Sequence, residues 1–358
     1  MTNYAIVGVG ATGRRIAGHL GNLDDAARLV LFDHTPGRAA NVARNLDDRV
    51  IATGEHFEVE RIPPDCAAVI LASAAGSHGA IAQACLAQGL DVISAGDSLG
   101  EVRDLLELDD LAIRHEARLI LGAGMMPGLS DVLVAHAIKW FTEVNEIHVA
   151  KFGTGGPDCA RQHHAALARL CFDWRDSGWQ RRAGGSGREL AWFPQPVQAA
   201  DCYRAALADP LLLVRAHPEV RRVTARMAAT RRDRLTMHLP MLRSPHPEGL
   251  LGAVRVEVRG VAAGERTELV LGCAERPAAA AAAVAAATAH SLSAGAIDPL
   301  QKGAGGLAEW VDPLDFLHLV RGLGLRPERF IGVEHTSAIG QKAQKLGFSR
   351  GPEVPKYP

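Results

Sequence analysis

The sharpest chemical signal lies within the first 33 residues. Gly8-Val9-Gly10-Ala11-Thr12-Gly13 fits G-x-G-x-x-G; it follows a β-branched run at Tyr4–Val9 and opens a helical pattern at Ala11–Leu23. Asp33 closes the next apolar run, 20 positions after Gly13. In that context each glycine has its own task. Gly8 permits a tight turn, Gly10 admits a pyrophosphate to the backbone, and Gly13 lets helix and strand pack closely. The free N–H groups of the helix start, at Ala11 and Thr12, suit an anion. Asp33 would accept hydrogen bonds from the adenosine ribose. The pattern implies NAD or NADP. Asp33 favours NAD, because a carboxylate repels a 2′-phosphate, whereas Arg38 just beyond could meet that phosphate.

Further candidates sit where the later apolar runs end, since ligands of open α/β sheets lie past the carboxyl ends of the strands. These are Ser73 and Ala74, then Ala95, Gly96 and Asp97, then the segment Gly122–Gly128. In the last segment Gly124 and Met125 would face the cofactor, with Met126 and Pro127 walling the substrate. His78 and His163 are candidate proton donors, with core packing as the competing role. Asp97 and Asp131 flank the expected cleft and could orient an amine, although Asp97 could instead cap the next helix. Arg222 and Arg226 share a strand face with Thr224 and could clamp a carboxylate. Trp174 belongs to an aromatic group with Phe172, Trp179, Trp192 and Phe193, suited to a lid, a ligand wall, a subunit interface or a local core.

These positions need elements to hold them. Six short apolar runs alternate with helical patterns: Tyr4–Val9, Arg28–Phe32, Val50–Thr53, Ala67–Ala72, Asp91–Ala95 and Arg118–Leu121. That alternation predicts a parallel, doubly wound α/β sheet. The spacing predicts helices over Gly79–Gln88 and Glu101–Ala117, and beyond residue 128 over Leu129–Phe141, Ala160–Leu170 and Asp312–Arg321, with a further helix that starts at Pro277, runs through alanines to Ala289 and ends near Gly295. Strand patterns at Val144–Phe152, Arg221–Ala229, Val254–Arg259 and Thr267–Leu271 predict half-exposed antiparallel strands in an α+β region with an open antiparallel sheet. The polar stretch around Gly184-Gly185-Ser186-Gly187 reads as a turn or loop. The expected division is a dinucleotide-binding domain over 1–128, an α+β domain over 129–300, a further segment over 301–333, and a tail over 334–358.

Composition narrows the partners. The 358 residues are 47% hydrophobic and 22% charged, with a net charge of −1, which argues against nucleic acid. Residues 1–122 hold 10 Lys and Arg against 17 Asp and Glu, and the remainder holds 29 against 23. The basic part would suit an anionic substrate. The six cysteines form no C-x-x-C pair, and no metal cluster has zinc spacing. No membrane span or signal peptide is evident, so a cytoplasmic protein is expected. Neither Tyr-x-x-x-Lys nor a phosphate-binding G-x-x-x-x-G-K-[ST] loop occurs.

Taken together, GVGATG, GAGMMPGLSDVL, the VRVEVRG hairpin with its alanine helix, and AEWVDPLDFLHLV make residues 3–330 resemble the saccharopine dehydrogenase (saccharopine reductase)-like oxidoreductases. The resemblance implies a Rossmann domain, a middle substrate and dimerisation domain (129–300) with an open mixed sheet, a C-terminal segment (301–333) returning to the first domain, NAD(P)-dependent hydride transfer and a homodimer. It points first to a C–N bond, imine or secondary amine, in an amino-acid-like or polyamine-like substrate. Reduction of C=C or C=O in a lipid or natural-product intermediate is a second expectation, and a non-catalytic NAD(P) sensor a third.

Overall fold

The computed structural model describes residues 2–241 and 244–330; the expected tail at 334–358 lies outside them. Strands β1 (Thr2–Val7), β2 (Ala27–Phe32), β3 (Val50–Gly54), β4 (Cys66–Leu71), β5 (Val92–Ser94) and β6 (Arg118–Leu121) follow the six apolar runs. The second region supplies β7 (Glu143–Phe152), β8 (Leu170–Arg175), β9 (Gly178–Ala183), β10 (Glu189–Phe193), β11 (Gln198–Arg204), β12 (Arg222–Ala228), β13 (Gly252–Ala262) and β14 (Glu265–Glu275). Strands β15 (Gly303–Gly306) and β16 (Glu328–Arg329) end the set.

The first sheet has seven strands in the order β15-β6-β5-β4-β1-β2-β3, all parallel. Its central strands are buried on both faces and therefore read as continuous apolar runs. Ala68, Val69, Ile70 and Leu71 are fully buried in β4. This is a Rossmann-type sheet in an α/β protein. The second sheet has nine strands and is mixed, running β10-β11-β12-β7-β13-β14-β16 with β8 and β9 attached at β12.

Several expectations change. The single helix expected over Glu101–Ala117 is two, Leu99–Leu106 and Asp109–Arg114. The break frees Asp109, whose Oδ1 accepts the N–H of Ala304 at 2.6 Å and so fixes the edge strand β15. That strand is Gly-Ala-Gly-Gly, and its composition hides it. A Cβ on Gly306 would stand 3.2 Å from Leu212 Cβ, so the small residues admit the Asp209–Ala216 helix. The polar stretch turns at 184–187 as expected, but on either side of that turn it forms β8 to β11 rather than loop. Its first hairpin turns through Asp176 and Ser177, both with positive φ, as a two-residue hairpin turn requires. Strand β12 is not half-exposed and antiparallel to its neighbours throughout. It runs parallel to β7 in the sheet interior, and Val223 to Met227 are all buried.

The alanine helix, Pro277–Ser293, follows the second sheet in sequence yet packs on the first. It touches the Gly13–Leu23 helix, β4 and β5. Alanines at the contact bring the backbones close, and Ala280, Ala282, Ala285, Ala286, Ala287 and Ala289 are fully buried. The carboxyl ends of β1, β4, β5 and β6 thereby face the end of β7 across a cleft.

Candidate active site

The cleft encloses about 740 Å³. One wall is the glycine turn. Gly8 has φ +89°, and a Cβ there would strike Ser73 N at 2.5 Å. A Cβ on Gly13 would stand 1.8 Å from Gly8 O, so only glycine lets the helix approach the strand. A Cβ on Gly10 would meet nothing within 4 Å. Gly10, Ala11 and Thr12 line the cleft, and no side chain caps the Gly13–Leu23 helix; the N–H groups of Arg14, Arg15 and Ile16 bond to the carbonyls of Gly10 and Thr12, which leaves those of Ala11, Thr12 and Gly13 for an anion. These features fit a dinucleotide pyrophosphate.

Of the other expected cofactor positions, Arg38, Ser73, Ala74, Ala95 and Gly96 line the cleft, as do Gly124 and Met125. Gly8, Gly13 and Asp33 lie behind the lining. Asp33 is nearly buried; its Oδ2 accepts the N–H of Val9 at 2.9 Å and its Oδ1 that of Thr35 at 2.8 Å. Arg38 approaches both oxygens at 3.4 Å. The carboxylate thus braces the turn from behind the cleft lining.

At the other end of the cleft the fold assembles a charged group from three elements. Asp97 follows β5, Lys151 is the penultimate residue of β7, and Cys159, Gln162 and His163 share one face of the Pro157–Ala166 helix through their i, i+3 and i+4 spacing. His163 Nε2 donates to Asp97 Oδ2 at 2.7 Å, and Lys151 Nζ lies 3.4 Å from the same oxygen and 3.1 Å from His163 Nε2. Gln162 Nε2 donates to Asp97 Oδ1 at 2.6 Å. Cys159 Sγ lies 3.6 Å from His163 Nδ1. Lys151, Asp97, Cys159 and Gln162 line the cleft, while His163 stands behind them, 1% exposed.

Burial opposes charge on His163, but Cys159 and the Asp97 carboxylate outweigh it and raise the imidazole to about 9. Burial likewise works against the Asp97 anion, yet His163 and then Lys151 hold it well below the usual carboxylate range. Asp97, Cys159 and His163 bring metal-ligating atoms within 4.8 Å of one another, an assembly that sequence spacing did not reveal. Their hydrogen bonds use opposite nitrogens of one imidazole, the geometry of a proton relay.

The structure separates the other candidates from this group. His78 is fully buried, between Ser94 Oγ at 2.9 Å and Ser73 O at 3.1 Å. Desolvation lowers its pKa, so the ring is a neutral brace under the loops after β4 and β5, not a donor at the cleft. Asp131 is buried away from the cleft. Ser130 Oγ bridges it, at 3.3 Å, to Asp209 Oδ1 at 2.9 Å. Asp97 caps no helix, because Ser98 holds the N-cap of Leu99–Leu106. Met126 lines the cleft, but Pro127 packs beneath Gly122. Arg222 and Arg226 form no clamp: Glu146 lies 3.6 Å from the first and Glu189 3.0 Å from the second, and neither arginine reaches the cleft. The aromatic group divides. Trp174 packs edge-on against Trp179 and donates to Val220 O at 2.9 Å, whereas Phe193 packs on Phe152 in a separate core.

Sequence reasoning did not find Lys151, Cys159 or Gln162. Lys151 had a visible signal, a lone cation near the end of the apolar run at Ile147–Phe152. Cys159 and Gln162 are recognisable only once His163 is known to matter.

Residues 2–122 match the GFO/IDH/MocA model, described as an oxidoreductase family with an NAD-binding Rossmann fold. No curated protein matches the chain. Among solved structures, the fold is similar to saccharopine dehydrogenase (L-Glu forming) from Saccharomyces cerevisiae, with TM-score 0.64 and 12% identity over 92% of this chain and 100% of that one. DAP dehydrogenase of C. glutamicum aligns with TM-score 0.44 and 14% identity over 89% of this chain and 95% of that one. The matched family differs from the one the sequence resembles, while the first of these structures shares the fold expected from that resemblance. Residues 2–122 form an NAD-binding Rossmann domain, and the protein is an NAD(P)-dependent oxidoreductase. Among the described residues, no helix is long and apolar enough to cross a membrane.

Proposed function

We propose that the protein moves a hydride to or from the carbon of a C–N bond in an amino-acid-like substrate. The observation that carries this reading is Lys151, nearly buried yet lining the cleft, with Asp97 and His163 in contact behind it. NAD, when bound, supplies or receives the hydride. Lys151 hands the balancing proton to the substrate nitrogen, or takes it in the oxidative direction, and His163 serves as its buried proton partner. Asp97 holds both cations in register. Positioned acid–base groups of this kind contribute about 10²–10⁴-fold.

Two cationic side chains around one carboxylate favour a substrate that brings its own carboxylate. The site therefore selects an amino-acid-like substrate over a polyamine-like one. The test is NADH consumption with a panel of 2-oxo acids, each with and without amino acids. Saturable turnover that requires both components supports C–N chemistry. Turnover on a carbonyl or enone alone overturns that bond assignment and leaves Lys151 as donor to oxygen or carbon.

A further inference from the structure

A second cavity of about 490 Å³ adjoins the charged group. Gln162 lines both cavities, and Ser98 faces this one while its neighbour Asp97 faces the cleft. Its walls are apolar: Leu99, Leu211, Phe172 and Trp179, the two aromatic rings packed edge-on at 6.5 Å. Trp179 is 43% exposed and Leu170 beside it 57%, much apolar surface to leave in water. Arg103, Arg169 and Arg181 stand at the same cavity. The guanidinium groups of Arg169 and Arg181 have no hydrogen-bond or ion-pair partner among the described residues.

We infer that this cavity receives the non-reacting limb of the substrate, an aromatic or branched hydrocarbon chain ending in a carboxylate. The proposal deepens the proposed function and rests on it, because a limb in the cavity passes Gln162 to put the reacting carbon beside Lys151. The volume lies within the range of small-molecule sites, about 300–1,000 Å³. Apolar walls with few polar groups confer affinity on the hydrocarbon, and a guanidinium takes a carboxylate bidentately. Arg222 and Arg182 of the same sheet, by contrast, already meet protein carboxylates, Glu146 at 3.6 Å and Asp173 at 3.9 Å.

The test uses the full chain saturated with NADH and 4-phenylbutanoate as probe, followed by calorimetry and tryptophan emission. Controls are 4-phenylbutan-1-ol and butanoate. We expect 4-phenylbutanoate to bind at least about tenfold more tightly than either control. Trp179→Ala should weaken it severalfold, and Arg169→Gln with Arg181→Gln should abolish the preference for acid over alcohol. NADH affinity should stay unchanged in all variants, which shows that they fold. Equal binding of the three probes, or binding indifferent to Trp179→Ala, overturns the proposal. So does a dimer that Trp179→Ala converts to monomer in sedimentation, since the cavity would then be a subunit contact. Failure here with Lys151-dependent turnover intact removes only the limb pocket. Loss of Lys151 dependence with probe binding intact removes the proposed chemistry instead.

Discussion

At the scale of single residues, Gly10 and Gly13 separate cofactor binding from folding. A Cβ at Gly10 meets only open cleft, so Gly10→Val should leave thermal stability within about 0.5 kcal/mol while weakening NADH at least tenfold. A Cβ at Gly13 collides with Gly8 O, so Gly13→Ala should lower the melting temperature as well. Fluorescence titration beside a melting curve reads both, and equal behaviour of the two variants would contradict these assignments. His163 gives a pH dependence. Its pKa is raised from an ordinary 6.5 to about 9 in the folded protein. The folded state therefore holds this proton more tightly than the unfolded chain. The stabilisation is complete below about 6.5 and is lost as pH rises through about 9. Reductive turnover, which consumes the proton, should fall over the same upper limb. His163→Gln should flatten both profiles, and an unchanged fall near pH 9 would assign it to another group.

At the scale of elements, the helix starts at Leu129–Ile138 and Asp209–Ala216 meet through buried carboxyl groups. Asp131 Oδ2 and Asp209 Oδ2 have no hydrogen-bond partner, and burial pushes Asp209 up from 3.8 to about 6. With the folded pKa above the unfolded one, the stabilising contribution is present below 3.8 and lost as pH rises through about 6. The pair is thus a liability at neutral pH. Asp209→Asn should raise stability at pH 7.5 by about 1–3 kcal/mol and by little at pH 4, as urea melts would show. Destabilisation at both pH values would mean that the carboxylate is held by contacts stronger than its desolvation. A second element acts on the cleft. Glu248 reaches Arg14 at 2.6 Å and Arg15 at 2.7 Å, and its neighbour Pro247 lines the cleft beside the glycine turn. Glu248→Gln should speed NADH release severalfold without changing the fold, as stopped-flow displacement would read; an unchanged rate would show that the segment is not a clasp.

At the scale of the molecule, six strands of the first sheet were legible from the sequence because the central ones are buried on both faces and the phosphate turn is a local pattern, whereas the glycines of β15 concealed the seventh. The second sheet was less so. Strands β8 and β9 carry Arg175, Arg181 and Arg182 at an exposed edge, and β12 hides Thr224 and Arg226 inside a mixed sheet, where period-two alternation suggested a wet face. For the charged group, Asp97 and His163 were visible as candidates. Their partner Lys151 lies 54 positions from Asp97 and becomes a neighbour only when β7 crosses the end of the first sheet. The alanine helix completes that crossing by returning the chain from the second sheet to the first, so one cleft is lined by the glycine turn of the first sheet and by Lys151 of the second.

The most direct test of this account is a single turnover of NADH oxidation, with the active oxo-acid and amino-acid pair, in the wild type and in Lys151→Met. NADH affinity is measured on the same samples. The account predicts a loss of about 10²-fold or more in the rate of NADH consumption, with NADH affinity unchanged. A Lys151→Met protein that binds NADH normally and turns over at the wild-type rate would contradict it.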